Sequence, residues 1–396
     1  MKNILEIFKR KKDNRTLSFK ESRAIIKNNF RITREYEKKK KAKVTEDFYL
    51  TQMKNPDNAL EIENLHTYFF TDNGVVKSVN GITFEVPKNK IVGLVGESGC
   101  GKSVTSLSIM QLVQAPQGQI VEGEIRFNIH KSDEEGNALA YNIAKMPTQD
   151  MYHIRGKDIT MIFQEPMTSL NPVFTIGYQL DEVVLLHNEN MTKEEAKKRS
   201  IEMLNLVGIP MPEEVYKRYP HQLSGGMRQR VMIAMALAVD PKLIIADEPT
   251  TALDVTIQAQ ILELLRTVQK KTEASIILIT HDLGVIAEMV DYVVVMYAGR
   301  IVEKGTVEEI FANPLHPYTK GLQRSKPMVN SDTDAPLYSI PGNVPNPINM
   351  PTHCFFKDRC DQCIKKCGGD FPKEIKVSPT HSVYCHLYDK EVQEDE

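Results

Sequence analysis

Gly96-Glu97-Ser98-Gly99-Cys100-Gly101-Lys102-Ser103 is an octet whose glycines, lysine and hydroxyl are spaced for holding phosphate. The form G-x-x-x-x-G-K-[ST] lets backbone N–H groups turn inward on β- and γ-phosphates; Lys102 adds a full positive charge, and the Ser103 hydroxyl can ligate Mg²⁺. Cys100 reads as a space-filling member, its side chain facing away from the phosphates. A second station, Asp247-Glu248, closes the apolar run Leu243-Ile244-Ile245-Ala246. Asp247 suits Mg²⁺ held through water, and Glu248 suits a general base that polarises an attacking water.

Both stations need strands behind them. Ile91-Val92-Gly93-Leu94-Val95 and Leu243 to Ala246 are short continuous apolar runs, the pattern of strands buried on both faces of a parallel sheet. Ile276 to Ile279 is a third. The helix-compatible stretches Lys102 to Leu112 and Gln258 to Lys270 lie between them, and Gln179 to Val207 is rich in helix formers. Strands alternating with helices predict an α/β fold in which ligands sit beyond the strand carboxyl ends. Leu60 to Leu65 and Val75 to Val86, joined at Asp72-Asn73-Gly74, read as strands around a turn. Eight prolines between Pro314 and Pro351 make the carboxy-terminal stretch loop-rich.

Composition divides the chain differently. The net charge of −2 conceals a basic arm: residues 1 to 43 hold 16 Lys/Arg and 5 Asp/Glu, leaving an acidic body. The arm, residues 1–55, is expected to be a flexible, solvated and partly helical tail, with anionic lipid as the alternative reading of its charge. The first twelve residues are too charged for a secretory signal, so a cytosolic location is the default. No apolar run approaches the roughly 18 to 20 residues of a membrane span, so any membrane role is peripheral.

Leu223-Ser224-Gly225-Gly226-Met227-Arg228-Gln229-Arg230 resembles the signature motif of the ABC (ATP-binding cassette) ATPases. Other stations follow in that family's order. Gln164 resembles the Q-loop glutamine, Ala252-Leu253-Asp254 the D-loop, and His281 the switch histidine; the likeness runs from about residue 58 to 325. Phe163 to Pro172, Asp247 to Thr256 and Asn313 to Thr319 resemble the peptide/nickel uptake subfamily, and Met227 resembles the D-type ATP-binding subunits of oligopeptide and dipeptide importers. The resemblance implies a cassette with a RecA-like core, an antiparallel β subdomain and an α-helical signature subdomain over residues 58–312. A small Cys-rich accessory domain would follow over 313–396. It also implies ATP and Mg²⁺ as cofactors, with Ser103, Gln164 and Asp247 at the metal, and Glu248, His281 and Gln164 in hydrolysis. Phe69, or Tyr68 beside it, is expected to stack on adenine. Ser224, Gly225, Gly226 and Asp254 are expected to serve the nucleotide of an opposed cassette. The implied partners are a paralogous F-type ATPase subunit, two transmembrane permease subunits and an extracellular peptide-binding protein, with the ATPase on the cytoplasmic side of the membrane. A soluble ABC ATPase acting on nucleic acid or ribosomes is the competing reading, motivated by the basic arm.

Five of six cysteines fall between Cys354 and Cys385. Cys354, Cys360, Cys367 and Cys385 resemble a carboxy-terminal motif of the peptide-importer ATPases in which a [4Fe–4S] cluster is sometimes held, and thiolates also bind Zn²⁺. Free buried thiols are the alternative. Set against the family it resembles, the chain looks variable over residues 129 to 152, which implies a surface insertion there.

Overall fold

Strands Ile91–Val95 (β4), Leu243–Asp247 (β8) and Ser275–Ile279 (β9) are buried at every position. Apolar runs of this kind cannot face water on either side, so they form the middle of a covered parallel sheet. With Ile159–Ile162 (β7) and Tyr292–Tyr297 (β10) they run parallel in the order β10-β4-β9-β8-β7. The computed structural model describes residues 19–165, 169–188, 190–251, 253–325, 338–348 and 350–389.

The side chains of β4 alternate between two apolar layers. Val92 and Leu94 pack with Leu60, Ile62, Phe84 and Ile125 of a second, antiparallel sheet, whereas Ile91 and Val95 face a layer built largely from helices. The antiparallel sheet joins Leu50–Gln52 (β1), Asn58–Thr71 (β2), Gly74–Pro87 (β3), Gly118–Ser132 (β5) and Ala138–Asn142 (β6) in the order β1-β6-β5-β2-β3. The turn expected at Asp72-Asn73-Gly74 closes the β2–β3 hairpin, with Thr71 paired to Gly74. The stretch 129–152 is only partly a surface insertion: it completes the β5–β6 hairpin, and Ile143, Met146 and Met151 enter the core.

Helices Lys102–Ile109 (α2), Val255–Thr272 (α7) and Leu283–Met289 (α8) follow strands β4, β8 and β9. The helix-rich stretch 179–207 divides in two, Ile176–His187 (α3) and Lys193–Leu206 (α4), because Thr192 and Glu195 close a capping box that starts a new helix. Pro212–Tyr216 (α5) and Gly225–Leu237 (α6) complete this helical region.

Both ends of the chain depart from expectation. Within the basic arm, Phe19–Lys40 (α1) is helical and joined to the antiparallel sheet rather than loose. Asn29 Nδ2 donates to Thr71 O at 2.8 Å, and Gln119 Nε2 donates to Glu37 at 2.8 Å. Residues 1–18 lie outside the described residues. At the other end, Arg300–Thr306 (β11) pairs with β10, and the two short strands Ile375–Lys376 (β12) and Ser382–Val383 (β13) extend the same sheet beyond it. Tyr318, on the helix Pro317–Arg324 (α10) that follows Val307–Ala312 (α9), packs with Phe355 and Phe356 in the cassette's main apolar layer. A separate Cys-rich accessory domain is therefore not supported. The segment lacks enough apolar residues for its own core and uses the cassette's.

Candidate nucleotide-binding and hydrolysis site

Four neighbouring parallel strands deliver the site. The phosphate loop follows β4, His281 follows β9, Asp247 and Glu248 end β8, and Gln164 follows β7. Residues far apart in the chain thus meet beyond the carboxyl ends of neighbouring strands, where a parallel sheet leaves a crevice.

The loop's glycines are dictated by backbone crowding. Gly96 has φ +151° and an added Cβ would lie 2.1 Å from Met296 O; Gly101 has φ +103° and its Cβ would lie 2.3 Å from Ser78 O. Only glycine fits either position. Lys102 is buried, its Nζ donating to Gly96 O at 2.7 Å and Glu97 O at 3.2 Å, which holds the ammonium within the loop's arc. Ser98 and Gly99 line the loop's outer side. Cys100 is buried in the apolar layer beneath, its thiol pKa raised by that burial.

Ser103 opens α2, and its Oγ donates to Asp247 Oδ1 at 3.1 Å. Ser106, one turn on, donates to Asp247 Oδ2 at 3.3 Å. Burial pushes the Asp247 pKa up, the two hydroxyl donors opposing and the neighbouring Glu248 charge assisting the shift. A buried carboxylate whose ionised form is this costly suits a divalent cation, and hydroxyl plus carboxylate oxygens are the hard donors Mg²⁺ takes. Gln164 fits the same set: its Nε2 donates to Glu248 Oε2 at 3.0 Å, leaving Oε1 as a further oxygen donor.

Glu248 is the hub. It accepts from Gln164, from Thr251 Oγ1 at 2.9 Å, and lies 3.4 Å from His281 Nδ1. Its backbone φ of +46° follows the strand end, where its N–H donates to Ile279 O at 2.9 Å on β9. His281 is 63% exposed against 17% for Glu248, so the imidazole reaches outward from a sheltered carboxylate. Sequence reasoning missed Ser106 and Thr251; their only signal is helical spacing from Ser103 and the hydroxyl three residues after Glu248.

The remaining expected residues lie elsewhere. Ser224 caps α6, its Oγ accepting from Met227 N at 3.3 Å, and Gly226 approaches α7, where a Cβ would lie 3.0 Å from Ile257 Cγ2. Gly225 faces Leu253. Asp254 caps α7 by accepting from Ile257 N at 3.0 Å. Among the described residues, none of these four shares a hydrogen bond with the phosphate loop. Ala252 and the motif residues Pro166, Met167 and Thr168 lie outside the described residues. Phe69 is half-buried beside Gly118, while Tyr68 OH donates to Asn80 Oδ1 at 2.9 Å.

The expected metal centre at the cysteines finds no support. Among the described residues no group of three or more His, Cys, Asp or Glu side chains is placed to hold a metal ion. Cys354 and Cys360 pack against the main apolar layer, Cys385 packs with Leu315 and Val383, Cys367 is buried, and Cys363 is exposed. Burial, before the mutual repulsion of neighbouring cysteines, pushes Cys360 up to about 11 and Cys385 up to about 12, which favours the protonated thiol at both. An iron–sulfur or zinc centre is not supported.

A phosphate loop after a buried strand, with a carboxylate pair, glutamine and histidine on adjoining strand ends, defines a P-loop ATPase of the cassette type. A family profile described as "ABC transporter" matches residues 79–251, and one described as "Oligopeptide/dipeptide transporter, C-terminal region" matches 302–367. The oligopeptide transport ATP-binding protein AppD of Bacillus subtilis is 50% identical over 84% of this chain and 97% of its own length. OppD of the same organism is 52% identical over 82% of this chain and 87% of its own length. The dipeptide transport protein DppD of Lactococcus lactis is 47% identical over 84% of this chain and 92% of its own length. Among solved structures, cbiO1 of Clostridium perfringens aligns with TM-score 0.52 and 27% identity, covering 65% of this chain and 92% of that one. The cassette MJ0796 aligns at 0.53 and 24%, covering 63% and 98%, a likeness of fold. The chain belongs to the ABC transporter ATP-binding proteins, in the branch of the oligopeptide/dipeptide transport ATPases, and is an ATP-hydrolysing transporter subunit.

Proposed function

We propose that this chain energises import of peptides across the cytoplasmic membrane by binding and hydrolysing ATP. One observation carries the mechanism: the convergence of Gln164, Glu248 and His281 beside the Ser103–Asp247 pair. Lys102 and the loop N–H groups hold the phosphates. Ser103, Asp247 and Gln164 would hold Mg²⁺, which when bound would supply neutralisation of the charge that develops on the phosphates. Glu248 takes the proton of the attacking water, and His281 orients it.

Ser224, Gly225, Gly226 and Asp254 lie apart from the chain's own phosphate loop, which supports their acting on the nucleotide of a second cassette; α6 then offers its N-terminal partial charge to that phosphate. The second cassette is a paralogous F-type subunit in this reading. The segment from Glu165 to Gln179, of which residues 166–168 lie outside the described residues, exposes Val173, Phe174 and Tyr178, the last two stacked with centroids 4.6 Å apart, and serves as the contact with two permease subunits. An extracellular binding protein delivers the peptide. No helix among the described residues is long and apolar enough to cross a membrane, so attachment falls to that contact. The relatives are transport proteins by name, which favours this reading over one on nucleic acid.

Glu248→Gln tests the mechanism. Steady-state ATP hydrolysis by the assembled transporter should fall at least about 100-fold while MgATP binding persists. Hydrolysis within a few-fold of the parent would remove Glu248 as the base.

A further inference from the structure

Arg359 lies 262 residues beyond Glu97, the second residue of the phosphate loop, yet the two form a bidentate ion pair. Nη1 donates to Glu97 Oε2 at 2.7 Å, and Nη2 donates to Oε1 at 3.0 Å. The other N–H groups are also used: Nε donates to Pro341 O at 2.9 Å, Nη2 to Ile340 O at 3.2 Å, and Nη1 to Tyr297 OH at 3.3 Å. The guanidinium lies 5.7 Å from the Tyr297 ring centroid and 5.9 Å from that of Phe356, and its side chain is 5% exposed. Every donor is therefore satisfied in a ring-walled socket, where a fork of fixed geometry is worth more than a flexible ammonium. The Glu97 hydrogen bond, more than any other influence, raises the Arg359 pKa.

A second contact reaches the same loop residue. The Glu97 backbone N–H donates to Tyr318 OH at 2.8 Å, and its carbonyl accepts from Lys102 Nζ. Glu97 is thus held at its amide and carboxylate by the carboxy-terminal segment, and at its carbonyl by the lysine that is to meet phosphate. A carboxylate on a phosphate cradle is an electrostatic liability, since it repels a triphosphate at short range. Pairing with Arg359 cancels that repulsion and turns the carboxylate into an anchor.

We propose that Arg359 is a positioning residue for nucleotide binding: with Tyr318, it clamps Glu97 and makes the carboxy-terminal segment part of the ATP site. The inference rests on the reading of residues 96–103 as that site. Calorimetric titration of the full chain with MgATP tests both. Arg359→Gln should weaken MgATP binding about tenfold, with a smaller loss for MgADP, because an unpaired Glu97 repels the extra phosphate charge. Adding Glu97→Gln to that variant should recover most of the affinity, which loss of a merely structural staple does not allow. If Arg359→Gln does not fold, Tyr318→Phe carries the test, with about a threefold weaker MgATP affinity expected. Unchanged MgATP affinity in the folded Arg359→Gln chain or in Tyr318→Phe overturns the clamp, as does an Arg359→Gln defect that Glu97→Gln leaves in place. A parent chain that binds no MgATP overturns the functional reading and the clamp with it.

Discussion

The crevice along β4, β9, β8 and β7 and the carboxy-terminal segment after β10 position their side chains by opposite means. In the crevice, β4, β8 and β9, buried at all five positions, fix the backbone, and reactive groups ride on the strand ends. In the carboxy-terminal segment regular structure is sparse, and buried polar groups do the positioning. Glu303, fully buried on β11, accepts from Leu315 N at 2.8 Å, His316 N at 2.9 Å and His381 Nε2 at 2.8 Å. Arg359 does the same work as a donor, holding Glu97 and the carbonyls of Ile340 and Pro341. A strand-built site is stable because apolar surface is hidden; a polar-stapled segment is stable only while each partner keeps its charge and hydrogen bonds.

That contrast can be broken at either end. Lys102→Ala should have the largest effect, abolishing measurable MgATP binding in calorimetry while leaving the melting temperature nearly unchanged, because the strands hold the site without it. Glu303→Gln should do the reverse: about 3 kcal/mol of stability lost in urea unfolding, since an amide NH₂ would face a buried N–H donor. MgATP binding comparable to the parent's in that variant below its transition would show that the Glu303 staple, unlike Arg359, acts apart from the crevice.

Acid gives a smaller test. His316 is fully buried, and desolvation, against the attraction of Glu303, lowers its pKa to about 4. Its Nδ1 accepts from Tyr318 N at 3.0 Å, so folding requires the neutral ring. The folded pKa lies below the unfolded value of about 6.5, so the unfolded chain binds more protons between them and stability falls as pH drops from about 6.5 to about 4. Urea unfolding at pH 7 and pH 5 should differ by about 2 kcal/mol from this group, and His316→Asn should flatten that slope. An unchanged slope in the variant would locate the acid sensitivity elsewhere.

Legibility follows the same division. Gly96 to Ser103, Asp247 and Glu248 were readable because local order carries their chemistry: a short apolar run, then the ligand groups, with no partner needed to interpret them. Gln164, His281 and Ser224 needed the family resemblance, since a lone glutamine, histidine or serine has no local signature. Ser106 and Thr251 went unread because a hydroxyl becomes a donor to Asp247 or Glu248 only when the strands bring it there. The cysteine spacing is the converse case: the thiols lie near enough to act on one another, yet no group among the described residues is placed to hold a metal, which spacing alone does not reveal.

By itself the sequence determined the parallel strands, the phosphate loop and the acidic strand end, because hydrophobic burial and glycine's steric freedom act within a few residues. Only the tertiary structure decided that α1 docks on the antiparallel sheet, that the last strands extend the main sheet, and that Arg359 grips Glu97. Those outcomes depend on pairing buried charges and hydrogen-bonding groups across up to 262 residues, and local pattern carries no record of such pairs.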